Sequence, residues 1–125
     1  MKIKESQENY LETILIIKNK KGMVRSIDVA NELSVTKPSV SVAMKKFRED
    51  GYITVDKEGY IILTEKGYEI ANRMYERHLV IAKTLMTLGV SEDVAYEDSC
   101  KIEHHISDES FDAIKEFFIK SEKGE

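Results

Sequence analysis

Apolar residues recur at helical spacing through most of the chain and switch to two-residue alternation in one place. In Glu8 to Ile17, Tyr10, Ile14 and Ile17 follow a helical period, with Leu11 and Leu15 beside them. That spacing turns one face of a helix towards a core. Lys18-Asn19-Lys20-Lys21-Gly22 then supplies positive charge and a glycine, which suit a helix C-terminus. Ser26 to Leu33 reads as a short second helix, with Ser26 as N-cap and Ile27, Val29, Ala30 and Leu33 as its apolar residues. Ser34-Val35-Thr36 is a tight connection. Thr36 opens a third helix with Lys37 and Pro38 in its first turn, where the missing proline N–H costs nothing. Two short helices joined so closely form a helix-turn-helix candidate.

In the third helix Val40, Met44 and Phe47 fall at i, i+4 and i+7 and should face the core. The opposite face carries Pro38, Val42, Lys45 and Lys46, flanked by Ser39 and Ser41. Small hydroxyls, two lysines and one exposed valine make a surface able to enter a major groove. Lysines reach phosphates, serines bond phosphates or base edges, and a valine touches a thymine methyl. An ordinary solvated helix face is the plainer alternative, and the neighbouring elements favour DNA.

The alternation lies in Tyr52-Ile53-Thr54-Val55 and Tyr60-Ile61-Ile62-Leu63, two strands joined by Asp56-Lys57-Glu58-Gly59. Three helices followed by a hairpin is the order of a winged helix-turn-helix. Lys57 at the wing tip is placed to approach a phosphate, with Asp56 and Glu58 limiting the attraction. The candidate DNA-contacting set is therefore Ser26, Thr36, Lys37, Pro38, Ser39, Ser41, Val42, Lys45, Lys46 and Lys57.

Thr64-Glu65-Lys66-Gly67 starts a long helix reaching about Leu88, with Ile70, Met74, His78, Ile81 and Leu85 along one stripe and Tyr75, Leu79 and Met86 widening it. Gly89-Val90-Ser91 breaks it. Ser91-Glu92-Asp93 caps a short helix, a further helix ends near His105-Ile106, and Ser107-Asp108-Glu109 starts the last. Phe111, Ile114, Phe117 and Phe118 on that last helix suit either a core or a dimer seam. Ser121 to Glu125 reads as a frayed tail.

Composition narrows the class. The chain has 125 residues, 42% of them hydrophobic, enough for one domain or two small ones. A slender two-part chain of this size often relies on dimerisation. Charged residues make up 34% and are balanced in sign, which argues against disorder. No apolar run approaches the roughly 20 residues of a membrane span. Met1-Lys2-Ile3-Lys4-Glu5 lacks the apolar core of a signal peptide. A single cysteine forms no internal disulfide and suits a reducing cytoplasm. The net charge of −4 seems wrong for nucleic acid, but its distribution is uneven. Residues 1–90 hold 15 Lys+Arg against 12 Asp+Glu, and residues 91–125 hold 4 against 11. A mildly basic front part and an acidic rear part point to different tasks.

The rear part holds the candidate chemistry. If Cys100-Lys101-Ile102-Glu103-His104 is helical, Cys100, Glu103 and His104 at i, i+3 and i+4 share one face. A thiol, a carboxylate and an imidazole can all ligate a transition metal. Glu12 and His78 are further candidates distant in sequence. A metal gathering them would tie the first helix to the last third of the chain. Alone, a lone His in an apolar stripe is ordinarily a core residue and a lone Cys a small buried hydrophobe.

At this point the residues resemble a known family. Glu8-Asn9-Tyr10-Leu11-Glu12, the helix-turn-helix from Ser26 to Phe47, Leu63-Thr64-Glu65-Lys66-Gly67, Arg77-His78 and Ile102-Glu103-His104-His105 are together similar to the metal-dependent repressors of the diphtheria-toxin-repressor and manganese-transport-regulator type. The resemblance covers roughly Ser6 to Phe118 and is to the shorter members, without an SH3-like domain. It implies a mainly α fold: a winged helix-turn-helix with a small two-stranded β wing over residues 1–72, then an all-helical metal-binding and dimerisation domain over 73–125. Residue by residue it implicates Glu12, His78, Glu103 and His104 as metal ligands. Cys100 stands where manganese-type members carry a glutamate and iron-type members a cysteine. Asn9 stands where an aspartate or methionine is usual, with Glu8 beside it as a possible substitute. Thr36, Pro38, Ser39, Ser41 and Val42 fall at positions like those used for DNA readout.

The resemblance further implies a cytoplasmic homodimer that binds a pseudo-palindromic operator in double-stranded DNA when loaded with metal and represses metal-uptake genes, with no membrane association. Thiolate and imidazole favour Fe²⁺, Co²⁺ or Zn²⁺, and carboxylates favour Mn²⁺. Family precedent puts Fe²⁺ or Mn²⁺ first, with Zn²⁺ or Co²⁺ able to bind in vitro. The competing readings are a winged-helix transcription factor with no metal response and a small metalloenzyme. No His-Glu-x-x-His, nucleophile elbow or glycine-rich phosphate loop is present, so an enzyme is not expected.

Overall fold

The computed structural model describes residues 5–124, and the N-terminal Met1 to Lys4 of the leader argument lie outside the described residues. Two compact units divide at Arg73/Met74. The order is α1 (Glu5–Lys21), α2 (Ser26–Leu33), α3 (Lys37–Glu49), β1 (Ile53–Val55), β2 (Ile61–Leu63), α4 (Glu65–Thr87), α5 (Glu92–Ile102) and α6 (Asp108–Glu122). This is a winged helix-turn-helix followed by an all-helical unit, as the residue pattern predicts. Among the described residues no helix is long and apolar enough to cross a membrane.

In the first unit Leu11, Ile14, Val24, Val29, Val40, Phe47, Ile53 and Ile61 are buried. Phe47 sits edge-on between Tyr10, at 5.9 Å, and Tyr52, at 6.2 Å. Burying each such side chain contributes about 1.5–3 kcal/mol. The third helix, α3, is fixed by Val40, Met44 and Phe47, which leaves its other face exposed. Thr36 caps it as expected: the Ser39 N–H donates to Thr36 Oγ1 at 3.2 Å.

The cap of α2 differs from the expectation. Arg25, not Ser26, is the N-cap residue, and its N–H donates to the Asp28 carboxylate at 2.9 Å. Asp28 also takes Lys21 Nζ at 2.8 Å. A carboxylate at the third helical position therefore closes this end, and Ser26 is the first helical residue. Ser34 ends α2 in the left-handed region (φ 54), which gives the short turn its sharpness.

The strands are one residue shorter than expected at each start. They pair antiparallel with Ile53 opposite Leu63 and Val55 opposite Ile61. The Asp56 carboxylate accepts from the Glu58 and Tyr60 N–H groups, so it closes the wing turn rather than facing outward alone. Thr64 then starts α4: its hydroxyl donates to Gly51 O at 2.7 Å and accepts from the Gly67 N–H. Gly67 is required here, because a Cβ at that position would lie 2.0 Å from Tyr52 O.

In the second unit Met74, Ile81, Ala82, Ala95 and Phe111 are the buried apolar residues. One continuous helix, α5, replaces the expected pair, and it stops at Ile102 instead of near His105. Ser107 caps α6 by accepting the Ser110 N–H. α6 stays helical to Glu122, beyond the expected fraying point.

Candidate metal centre

Three stretches of the second unit bring His78, Cys100, Glu103 and His104 together. His78 lies midway along α4, Cys100 in the last turn of α5, and Glu103 is the α5 C-cap with helical dihedrals. His104 falls in the turn after the helix, not on it. The i, i+3 relation of Cys100 and Glu103 therefore holds, while His104 reaches the same place from a turn.

Glu103 is the centre of the group. Its carboxylate is buried, with Oε2 at 2.9 Å from His78 Nδ1 and Oε1 at 3.3 Å from His104 Nε2. Cys100 Sγ lies 3.7 Å from the same His78 Nδ1. The Cys100 thiol and then the Glu103 carboxylate push the His78 pKa up to about 10, against the opposing effect of burial. In this arrangement a protonated His78 Nδ1 donates towards the Glu103 carboxylate and the Cys100 sulfur, which accept. A buried carboxylate, a half-buried imidazole and an exposed thiol converge here, a donor set suited to a divalent transition ion. Burying these groups without such a charge, or the proton that replaces it, is costly. The residues therefore fit a metal.

Other residues hold this half-site in shape. Ser99 is buried and its hydroxyl donates to the His78 carbonyl at 2.6 Å, joining α5 to α4 next to two candidate ligands. The Tyr96 ring packs 5.5 Å from the His78 ring. Arg77 donates to the Glu103 and Ile106 carbonyls. Sequence reasoning did not single out Ser99, Tyr96 or Arg77 as part of the site. The signal for Arg77 was its position directly before His78 in the middle of α4.

The remaining candidates belong to the first unit. Glu12 is only 3% exposed on α1, whereas Asn9, one turn earlier, is exposed. Glu8, the possible substitute for Asn9, is buried with its carboxylate 3.5 Å from Arg73 Nη2. On the DNA side Thr36, Lys37, Pro38, Ser39, Ser41, Lys45, Lys46 and Lys57 are all exposed, and Val42 is 71% exposed. Ser26 is half-buried. Lys46 is 3.5 Å from Asp50, the C-cap residue of α3.

Comparisons with known proteins agree with this division. Residues 2–61 match the family described as iron dependent repressor, N-terminal DNA binding domain. Residues 64–123 match iron dependent repressor, metal binding and dimerisation domain. The chain is 36% identical over 109 residues to the HTH-type transcriptional regulator MntR of Lysinibacillus sphaericus (strain C3-41), covering 87% of this chain and 78% of that protein. It is 38% identical over 109 residues to the MntR of Geobacillus kaustophilus (strain HTA426), covering 87% and 77%. The solved metal-dependent transcriptional regulator MtsR superposes with a TM-score of 0.80 at 28% identity, covering 89% of this chain and 52% of that one. The chain thus spans about half the length of that solved relative.

Proposed function

The chain belongs to the iron-dependent repressor family, and we propose from that premise that it represses metal-uptake genes when loaded with Mn²⁺ or Fe²⁺. It is a metal-responsive, DNA-binding transcriptional regulator acting as a homodimer, not an enzyme. The observation that carries the reading is the convergence of His78, Cys100, Glu103 and His104 around one buried carboxylate. These four would hold the ion. We assign Glu12 and Asn9 of α1 to the same ligand set from the family pattern, and the burial of the Glu12 carboxylate supports its part. When bound, the ion supplies a fixed positive centre that keeps thiolate, imidazole and carboxylate groups together. Co²⁺ and Zn²⁺ would also bind in vitro on ligand softness.

The DNA-contacting surface is assigned to Ser26, Thr36, Lys37, Pro38, Ser39, Ser41, Val42, Lys45, Lys46 and Lys57. Its support is the exposed polar and basic face of α3 opposite the buried Val40, Met44 and Phe47. A pseudo-palindromic operator follows from a two-fold homodimer presenting two such helices. Residues 1–72 are assigned to DNA binding and 73–125 to metal binding and dimerisation. Exposed Phe117, Ile119 and Val94 in the second unit support an apolar seam with a second copy. A reduced thiol and chromosomal DNA both suit the cytoplasm, which we assign as its location.

The gating is a linkage. An ion shifts a conformational equilibrium only by its differential affinity for the two states, typically about 1–3 kcal/mol of coupling. Equilibrium dialysis of the full chain against Mn²⁺, and anaerobically against Fe²⁺, tests the ligand assignment. Stoichiometric uptake that is lost in Glu103→Ala is the expected result. Uptake unchanged by that substitution would remove Glu103 and the centre built on it.

A further inference from the structure

Arg77 precedes the candidate ligand His78 on α4 and is buried. Its Nη1 donates to two main-chain carbonyls, Glu103 O at 3.1 Å and Ile106 O at 2.7 Å. Its Nη2 donates to the Asp108 carboxylate at the start of α6. The guanidinium carbon lies 5.3 Å from the centre of the Phe111 ring. One side chain thus joins α4, the turn after α5 and the first turn of α6.

The turn it grips is the one that presents Glu103 and His104. A helix end leaves carbonyls without partners, and proteins usually close such an end with a left-handed glycine. This end has neither a glycine nor a positive-φ residue between Glu103 and Ser107. Locally the Glu103 N–H donates to Ser99 O, and the His105 and Ile106 N–H groups both donate to Ile102 O. The carbonyls of Glu103 and Ile106 both accept from Nη1 of Arg77, and the planar fork turns its Nη2 to Asp108. The arrangement has a cost, since Arg77 Nε is buried with no partner among the described residues. An apolar side chain would fill this space without that cost, but it would remove both of these hydrogen bonds.

We propose that Arg77 is a positioning residue that holds the 103–106 turn, and with it the Glu103 and His104 side chains, in ligand-ready geometry before any metal binds. The proposal deepens the metal-centre reading and rests on it for the metal arm alone. Residues that orient ligands in this way typically change metal affinity by about 10–100-fold when replaced.

The test uses the full chain with Arg77→Met, Arg77→Lys and Asp108→Ala, and far-UV circular dichroism to establish folding. The first arm is amide hydrogen exchange in chelator. Arg77→Met should accelerate exchange at Glu103, His105 and Ile106 by about tenfold or more, leaving Val29 in the first unit unchanged. The second arm is anaerobic Co²⁺ titration. Affinity should fall about 10–100-fold in Arg77→Met, with an altered visible ligand-field spectrum, and recover partly in Arg77→Lys, which keeps the charge but not the fork. Folded Arg77 variants with wild-type exchange and wild-type Co²⁺ affinity would overturn the proposal. If both Arg77 variants fail to fold, Asp108→Ala decides, because the Asp108 side chain is 83% exposed and dispensable for the core. Faster exchange in the turn supports the proposal there, and wild-type exchange overturns it. If the wild-type chain takes up no Co²⁺, the metal reading fails, and the exchange arm still decides the role of Arg77.

Discussion

His78 Nδ1 stands 2.9 Å from Glu103 Oε2, so an imidazole from the middle of α4 and a carboxylate from the end of α5 are placed to share one proton. The pKa of His78 is raised to about 10 by Cys100 and Glu103. An unfolded histidine titrates near 6.5. The protonated pair therefore stabilises the fold fully below about pH 6.5 and loses that contribution as pH rises through about 10. Urea denaturation in chelator should show stability declining over this interval, with the decline absent in His78→Gln. Metal affinity should run the opposite way, rising by up to about tenfold per pH unit while a proton must leave His78. A metal affinity flat between pH 6.5 and 8.5 would contradict the shared proton.

In the proposed ligand set Cys100 would decide which ion fits. Its sulfur is the soft donor in the group, next to His78 Nδ1. Cys100→Glu should weaken Co²⁺ and Zn²⁺ by about tenfold or more and strengthen Mn²⁺ relative to them. Competition titrations of the variant and wild type measure this directly. An unchanged order of affinities would show that the sulfur is not a ligand.

On α3, Val42 and Lys45 should separate two kinds of DNA contact. Both are exposed, so replacing either by alanine should alter stability by no more than about 0.5 kcal/mol. Lys45→Ala should weaken binding to all sequences and lower the salt slope by about 1. Val42→Ala should leave the slope unchanged and reduce discrimination at one operator position. Binding isotherms at several salt concentrations distinguish the two.

Gly67 limits how the wing meets α4. A Cβ there would lie 2.0 Å from the Tyr52 carbonyl oxygen and 3.0 Å from its carbon, both main-chain atoms. Gly67→Ala should therefore destabilise the chain by about 1–3 kcal/mol, read as a lower denaturation midpoint. A midpoint equal to wild type would mean that the hairpin moves aside freely.

These cases also show what the residues alone disclosed. Val40, Met44 and Phe47 were legible as core because helical spacing is a local property, and Thr36 was legible as a cap for the same reason. The Ser26 cap was misplaced because Asp28, three residues after Arg25, takes the N–H that closes α2. The end of α5 was misplaced because its partner is distant: the carbonyls beyond Ile102 are taken by Arg77, from another helix. Cys100, Glu103, His104 and His78 were visible as candidate donor types, and the structure brings them together. The roles of Ser99 and Arg77 depended on tertiary neighbours and were not. The need for glycine at position 67 likewise arises only once the hairpin packs on α4.

The central claim is that metal governs DNA binding, and fluorescence anisotropy tests it most directly. The full chain would be titrated onto a labelled pool of genomic fragments with Mn²⁺, with Fe²⁺ under anaerobic conditions, with Zn²⁺, and with chelator, alongside Glu103→Ala. The account predicts tight binding with metal, binding at least about fivefold weaker in chelator, as 1 kcal/mol of coupling requires, and no metal effect in the variant. Equal binding in chelator and in metal would contradict it, leaving a winged-helix protein whose Cys100, Glu103 and His104 serve structure alone.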